Sequence, residues 1–83
     1  MEKDNSQFNL NDSLKNALKQ IIKEVSNSLK EKGYDPVSQI VGYLISNDLG
    51  YIPDFDDNRN KIATLDRTLI LESMISDYLK WDV

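Results

Sequence analysis

The chain contains neither cysteine nor histidine among its 83 residues. It therefore has no thiol nucleophile, no imidazole base, no disulfide and none of the usual zinc ligands. We expect no metal and no other cofactor. An enzyme of this composition would have to work through carboxylates, such as those of Asp56 and Asp57. The composition favours a protein that is not an enzyme.

Long apolar runs and an excess of positive charge are missing too. The absence of an apolar run of membrane-spanning length predicts a soluble, cytoplasmic protein. The formal net charge is −4, from 10 basic and 14 acidic residues. Because nucleic-acid binding requires a basic surface, this balance disfavours DNA or RNA as a partner. A chain this short builds only a small core, which predicts that a second copy completes it as a homodimer.

Two helices are predicted in the first half of the chain. The first is capped by Asp12 or Ser13 and runs to about Lys32, with apolar residues three and four positions apart. Gly33 suits its left-handed end. The second begins at Asp35 and Pro36, ends near residue 47 and forms a hairpin with the first. Its interior glycine, Gly42, predicts a close helix–helix approach.

The second half is predicted to hold a long structured loop and one more helix. The loop covers residues 48–61, and the helix is capped by Thr64 or Asp66 and ends near residue 80. We predict an all-α fold with a mobile polar arm at residues 1–11 and a single domain at residues 12–83. The buried face of the last helix is predicted to comprise Ile70, Leu71, Met74, Ile75, Tyr78 and Leu79. The predicted core consists of Leu18, Ile21, Ile22, Val25, Ile40, Val41, Leu44, Ile70, Met74 and Leu79.

Charge is unevenly distributed along the chain. Lys15, Lys19 and Lys23 form a basic row on the first helix, which either meets an acidic partner, a phosphorylated segment or nucleic acid, or is a solvated face opposite the apolar stripe. The acidic stretch at residues 54–57 lacks the glycine and the glutamate that a calcium-binding loop places at its sixth and twelfth positions, so a metal site is not predicted there. The second helix carries no Lys or Arg, which disfavours a DNA-reading role.

Several motifs in this sequence resemble the IreB family of small bacterial proteins. They read FNLND at residues 8–12, EKGYDPVSQIVGYLIS at 31–46, YIP at 51–53, NRNKI at 58–62 and DR at 66–67. The resemblance implies a small helical homodimer that is not an enzyme. It also implies a regulator phosphorylated near its N-terminus by a Ser/Thr kinase and acting negatively on cephalosporin resistance and envelope stress tolerance.

The resemblance also suggests which residues carry function. Phospho-acceptors in the family are threonines just before the FNL motif, where this chain has Ser6 as the hydroxyl residue of positions 1–7. Ser6 and Ser13 are therefore the phosphorylation candidates, with a kinase, a phosphatase and a downstream protein as partners. The alternative function is a nucleic-acid-associated accessory protein. The interaction-surface candidates are Tyr34, Gln39, Gly42, Tyr43, Arg59 and Asn60, of which the last two are expected rather to fix the acidic loop.

Overall fold

The computed structural model describes residues 12–80, which are helical and contain no strand. Four helices follow one another along the chain: α1 (Asp12–Glu31), α2 (Pro36–Ser46), α3 (Asn58–Ala63) and α4 (Arg67–Leu79). A short 3₁₀ turn at Leu49–Tyr51 lies between α2 and α3. The predicted all-α class is confirmed. The predicted arm at residues 1–11 lies outside the described residues.

The first two helices end and begin where the sequence predicted, within one residue. Gly33 adopts a φ of +89°, the left-handed conformation that a chain reversal after α1 requires. The side chain of Asp35 then caps α2 by accepting a hydrogen bond from the Val37 amide at 3.1 Å. The α1 cap was predicted wrongly, because Asp12 and Ser13 already lie in its first turn.

The segment after α2 is more helical than the sequence predicted. Residues 48–61 were interpreted as a loop, but they contain the 3₁₀ turn and most of α3. Thr64 does not cap the last helix, as one alternative held, since it lies at the C-terminal end of α3. Asp66 is the cap of α4, accepting hydrogen bonds from the amides of Thr68 and Leu69 at 2.8 and 3.3 Å.

The core lies where α1, α2, α3 and α4 meet, and five of its members were predicted. Ile21 and Ile22 pack against it while partly buried. Three predicted members were wrong, because Val41, Met74 and Leu79 are 46%, 38% and 42% exposed. On α4 only Ile70 of the predicted apolar face is buried. The buried apolar residues are Leu18, Val25, Leu29, Ile40, Tyr43, Leu44, Ile52, Ile62 and Ile70.

Candidate functional site: an exposed apolar face and a basic groove

Two helices expose apolar side chains on adjoining sides of the domain. On α2, Val37, Val41 and Ile45 follow one another at four-residue intervals and are 71%, 46% and 79% exposed. On α4, exposed apolar residues recur three and four positions apart, so they also share one side of their helix. We call this surface the α2–α4 face and define it by Val37, Val41, Ile45, Leu71, Met74, Ile75 and Tyr78.

A groove connects the two halves of this face. It has a volume of about 350 Å³ and lies among α1, α2 and α4, with Val37, Val41 and Met74 in its walls. Its remaining walls come from Ile22, Ser26, Pro36, Ile40 and Leu44, so no charged side chain lines it. An uncharged groove beside exposed aliphatic residues suits contact with another apolar surface.

Several residues of the motif at positions 31–46, which includes α2, make contacts within the chain rather than lie at its surface. Gln39 is partly buried, and its Nε2 atom donates a 2.6 Å hydrogen bond to the backbone carbonyl of Tyr51. Gly42 lies directly against the ring of Tyr51, which corrects the predicted helix–helix approach: the close neighbour is an aromatic side chain of the 3₁₀ turn. Tyr43 is only 4% exposed. Its predicted role on an interaction surface is wrong for the single chain.

Tyr34, by contrast, does lie at the surface. Its side chain is 44% exposed, and its ring centroid is 6.0 Å from that of Phe55. The ammonium group of Lys32 lies 5.5 Å from the centroid of the same Phe55 ring. These contacts form a small cluster that holds the loop before α3 against the end of α1.

Arg59 and Asn60 make contacts within the loop that precedes α3 and within α3 itself. The Nε atom of Arg59 donates to the carbonyl of Ile52 at 2.8 Å. The Nδ2 atom of Asn60 donates to Asp57 Oδ1, also at 2.8 Å. Both contacts fit the interpretation in which these residues fix the loop.

A polar cluster that sequence reasoning missed joins α1 to the start of α3. The hydroxyl of Ser28 donates to Asp56 Oδ2 at 2.6 Å and accepts from Asn58 Nδ2 at 2.9 Å. Ser28 is 6% exposed and Asn58 fully buried. The sequence gives no local signal for this cluster, because Ser28 and Asn58 are 30 positions apart.

The acidic stretch offers little to a carboxylate-based enzyme. Asp56 and Asp57 are both exposed, and their carboxylates accept hydrogen bonds from different partners, Ser28 and Asn60. Within residues 12–80, no three carboxylates stand close enough together to hold a metal ion. Residues 54–57 therefore form a solvent-exposed loop whose side chains accept hydrogen bonds from α1 and α3.

The predicted basic row borders a second groove, between α1 and α4. We call it the α1–α4 groove; its volume is about 110 Å³ and its rim includes Lys19 and Lys23. The ammonium group of Lys19 lies 3.2 Å from Asp77 Oδ2, and both side chains are more than half exposed. Such an exposed ion pair contributes about 0–1 kcal/mol, so Lys19 can exchange Asp77 for another anion. The apolar walls are Leu18, Ile22, Ile70 and Met74.

The structure describes one of the two phosphorylation candidates. Ser13 is exposed in the first turn of α1. Ser6 lies outside the described residues. Lys15 completes the predicted basic row two residues after Ser13 and is partly buried.

None of the helices in the described part of the chain is both long and apolar enough to cross a membrane. A small helical domain with an exposed apolar face, whose described carboxylates do not cluster, is typical of proteins that act by binding other proteins. Residues 3–80 match the family model of the IreB regulatory phosphoproteins. The chain belongs to the IreB family, so its role is regulatory, as the motifs predicted.

Proposed function

We propose that this chain is a cytoplasmic homodimeric regulator that a bacterial Ser/Thr kinase phosphorylates and a phosphatase resets. Its output is proposed to be negative control of cephalosporin tolerance and envelope stress responses, through contact with a downstream protein. Membership of the IreB family supports the regulatory part of this proposal. The observation that carries the protein–protein part is the α2–α4 face.

The exposed aliphatic residues of the α2–α4 face support the proposed dimer of this chain. Val37 and Ile45 are 71% and 79% exposed, and a dimer with two-fold symmetry covers both residues in both copies. Because fully burying an aliphatic side chain contributes about 1.5–3 kcal/mol, covering these four side chains, which are about three-quarters exposed, contributes about 4.5–9 kcal/mol. The groove that holds Val41 and Met74 adds further apolar contact. This gain opposes the entropy lost on association.

A substitution at Ile45 tests the dimer without weakening the core. Ile45→Glu places a charge within the proposed interface, and because Ile45 is 79% exposed in the single chain, the substitution leaves the fold of the monomer intact. Gln20→Glu adds the same charge on the exposed side of α1 and serves as the matched control. Sedimentation velocity over a concentration series should show a dimer for the parent chain and Gln20→Glu, and a monomer for Ile45→Glu. A monomeric parent chain, or a dimeric Ile45→Glu, would refute this interface.

Phosphorylation at Ser13 has a favourable location. A phosphate there would lie at the N-terminal end of the 20-residue helix α1, where the helix dipole favours negative charge by about 0.3–1 kcal/mol. A phosphate on Ser6 would instead add about −1.5 to −2 of charge to the segment before the helix. Both sites are therefore chemically acceptable.

Mass spectrometry after reaction with the Ser/Thr kinase of the same bacterium tests whether the chain is phosphorylated. We expect phosphate on Ser6 or Ser13 in the parent chain and no phosphate in the Ser6→Ala/Ser13→Ala variant. Ser26→Ala, which removes a hydroxyl from the groove of the α2–α4 face, is the control and should leave phosphorylation unchanged. Absence of phosphate from both serines would overturn this part of the proposal.

Deleting the gene should raise cephalosporin tolerance, and an unchanged tolerance would contradict the proposed output.

A further inference from the structure

The α1–α4 groove combines an apolar floor with a basic rim. Leu18, Ile22, Ile70 and Met74 form the floor. Lys19, Lys23 and Asp77 stand on the rim, which therefore carries two positive charges against one negative charge. This combination suits a segment that carries one large apolar side chain and, a few residues away, negative charge.

We propose that residues 1–10 of the same chain occupy the α1–α4 groove, with the side chain of Phe8 against its floor. We further propose that a phosphate on Ser6 strengthens this contact through Lys19 and Lys23. The second half rests on the proposed function, whereas the first half requires no phosphorylation.

The size of the groove fits a single aromatic ring. Its volume is about 110 Å³, and it is open to solvent on one side. An apolar protein cavity of about 150 Å³ accepts benzene. The groove is smaller than that cavity but open on one side, so the ring of Phe8 enters it in part and the rest of the ring lies over the opening.

The length of chain before α1 allows Phe8 to reach the groove. Leu18 lies six residues beyond Asp12, which corresponds to about 9 Å along the helix axis. Four extended residues, from Asp12 back to Phe8, span about 13 Å. Ser6, two residues further from the helix, reaches about 20 Å, which includes Lys19 and Lys23 at about 11 and 17 Å along α1.

The charges of the segment and of the rim are complementary once Ser6 is modified. Residues 1–10 contain Glu2 and Asp4 against Lys3, a side-chain charge of −1. A phosphate on Ser6 brings this to about −3. Because the ion pair that Lys19 makes with Asp77 is exposed and therefore weak, the Lys19 ammonium group is available to the phosphate. Covalent attachment favours the contact further, since a short linker gives an effective concentration in the millimolar range.

The α2–α4 face suits this segment less well. Its groove is lined by no charged side chain. Of its two α1 residues, Ile22 is shared with the α1–α4 groove, and Ser26 lies about 21 Å from Asp12 along the helix, further than Lys23. The distance that residues 1–10 can span and the charged residues that line the groove therefore both favour the α1–α4 groove as their binding site.

A spin label placed near Phe8 tests the contact in the full chain. The sequence contains no cysteine, so Asn5→Cys provides a unique attachment site. NMR line broadening should then be stronger at Ser73 and Asp77, which line the groove, than at Gln20 and Glu24 on α1 outside it. Phe8→Ala should abolish this difference, whereas the control Gln7→Ala should retain it. Ser6→Glu should increase it.

Each other result overturns a stated part of the proposal. Equal broadening at the two sets of residues overturns docking, and a difference that survives Phe8→Ala overturns the anchoring role of Phe8. If Ser6→Glu leaves the difference in line broadening unchanged, the proposed attraction between a phosphate on Ser6 and the two lysines is overturned. In a mixture of spin-labelled protein with isotope-labelled protein that carries no spin label, only docking onto a second copy broadens signals. Stronger broadening at Ser73 and Asp77 in that mixture overturns docking within one chain. A kinase that leaves Ser6 unmodified refutes the proposed switch but not the Phe8 contact.

Discussion

Substitution of Gly42 by alanine should destabilise this domain, although alanine is the better helix former. Gly42 lies inside α2, with the ring of Tyr51 against it. A Cβ atom added there would lie 2.6 Å from Tyr51 Cε1 and 2.9 Å from Tyr51 Cγ, well inside contact distance. Gln39 Nε2 donates to the Tyr51 carbonyl at 2.6 Å and so holds the Tyr51 backbone in place, which leaves the ring to move away only by rotation about its own side-chain bonds.

Two opposing contributions set the magnitude. Replacing an interior helical glycine by alanine stabilises a helix by about 1 kcal/mol. Forcing an extra carbon into a packed contact costs about 1–3 kcal/mol. The net effect of Gly42→Ala should therefore be a loss of up to about 2 kcal/mol in the free energy of unfolding. Once the ring is removed, only the favourable contribution remains.

A double-mutant cycle with Tyr51→Ala isolates the contact. Urea unfolding, followed by circular dichroism at one fixed protein concentration, gives the free energy of unfolding of each variant. In the Tyr51→Ala background, Gly42→Ala should stabilise by about 1 kcal/mol, which implies a coupling energy of about 1–3 kcal/mol. If Gly42→Ala stabilises the parent chain by the same amount as the Tyr51→Ala variant, the packing argument is refuted.

Two further substitutions test polar contacts by the same urea assay. Asn58→Ala removes the buried hydrogen bond to Ser28 and should lower the free energy of unfolding by about 1–3 kcal/mol, so a change below 0.5 kcal/mol would contradict a structural role for the cluster. Asp66→Ala removes the cap of α4 and should cost about 1 kcal/mol. Its control Asp54→Ala, which removes a 4.0 Å exposed ion pair, should cost less, and equal losses would show that capping is not the cause.

The sequence predicted α1 and α2 well because their signals are local. Apolar residues recur at helical spacing on both helices, and the stop at Gly33 and the cap at Asp35 each depend on one residue and its immediate neighbours. The cap of α4 at Asp66 was one of two predicted alternatives for the same reason. Local chemistry is what a sequence pattern records, so these boundaries could be placed within a residue or two.

The six residues of α3 could not be predicted in this way. A helix of under two turns is too short to show an apolar stripe and is marginal without tertiary contacts. The residue before it, Asp57, adopts a φ of 60° and makes no capping hydrogen bond through its side chain. What stabilises the segment is distant in sequence: Ile62 is fully buried in the core, and Asn58 bonds to Ser28 on α1.

The exposed side of α4 shows a different limit of sequence reasoning. Periodicity identifies the apolar side of a helix, but it does not say whether that side faces the core of the same chain or a partner. Ile70 is 1% exposed, whereas Ile75 and Tyr78 on the same helix are 56% and 84% exposed. The prediction of one buried face therefore merged two surfaces, one for the core and one free to make contacts.

The same distinction changes the interpretation of the family-like run from Lys32 to Tyr43. Its most distinctive side chains act within the chain: Tyr43 is buried, Gln39 holds the 3₁₀ turn, and Gly42 leaves room for the ring of Tyr51. Val37 and Val41, in the same run, are instead exposed. Recognition by this protein should therefore depend on the ordinary aliphatic residues of α2. The distinctive residues determine how α2 is held against the rest of the domain, and so how that aliphatic row is presented.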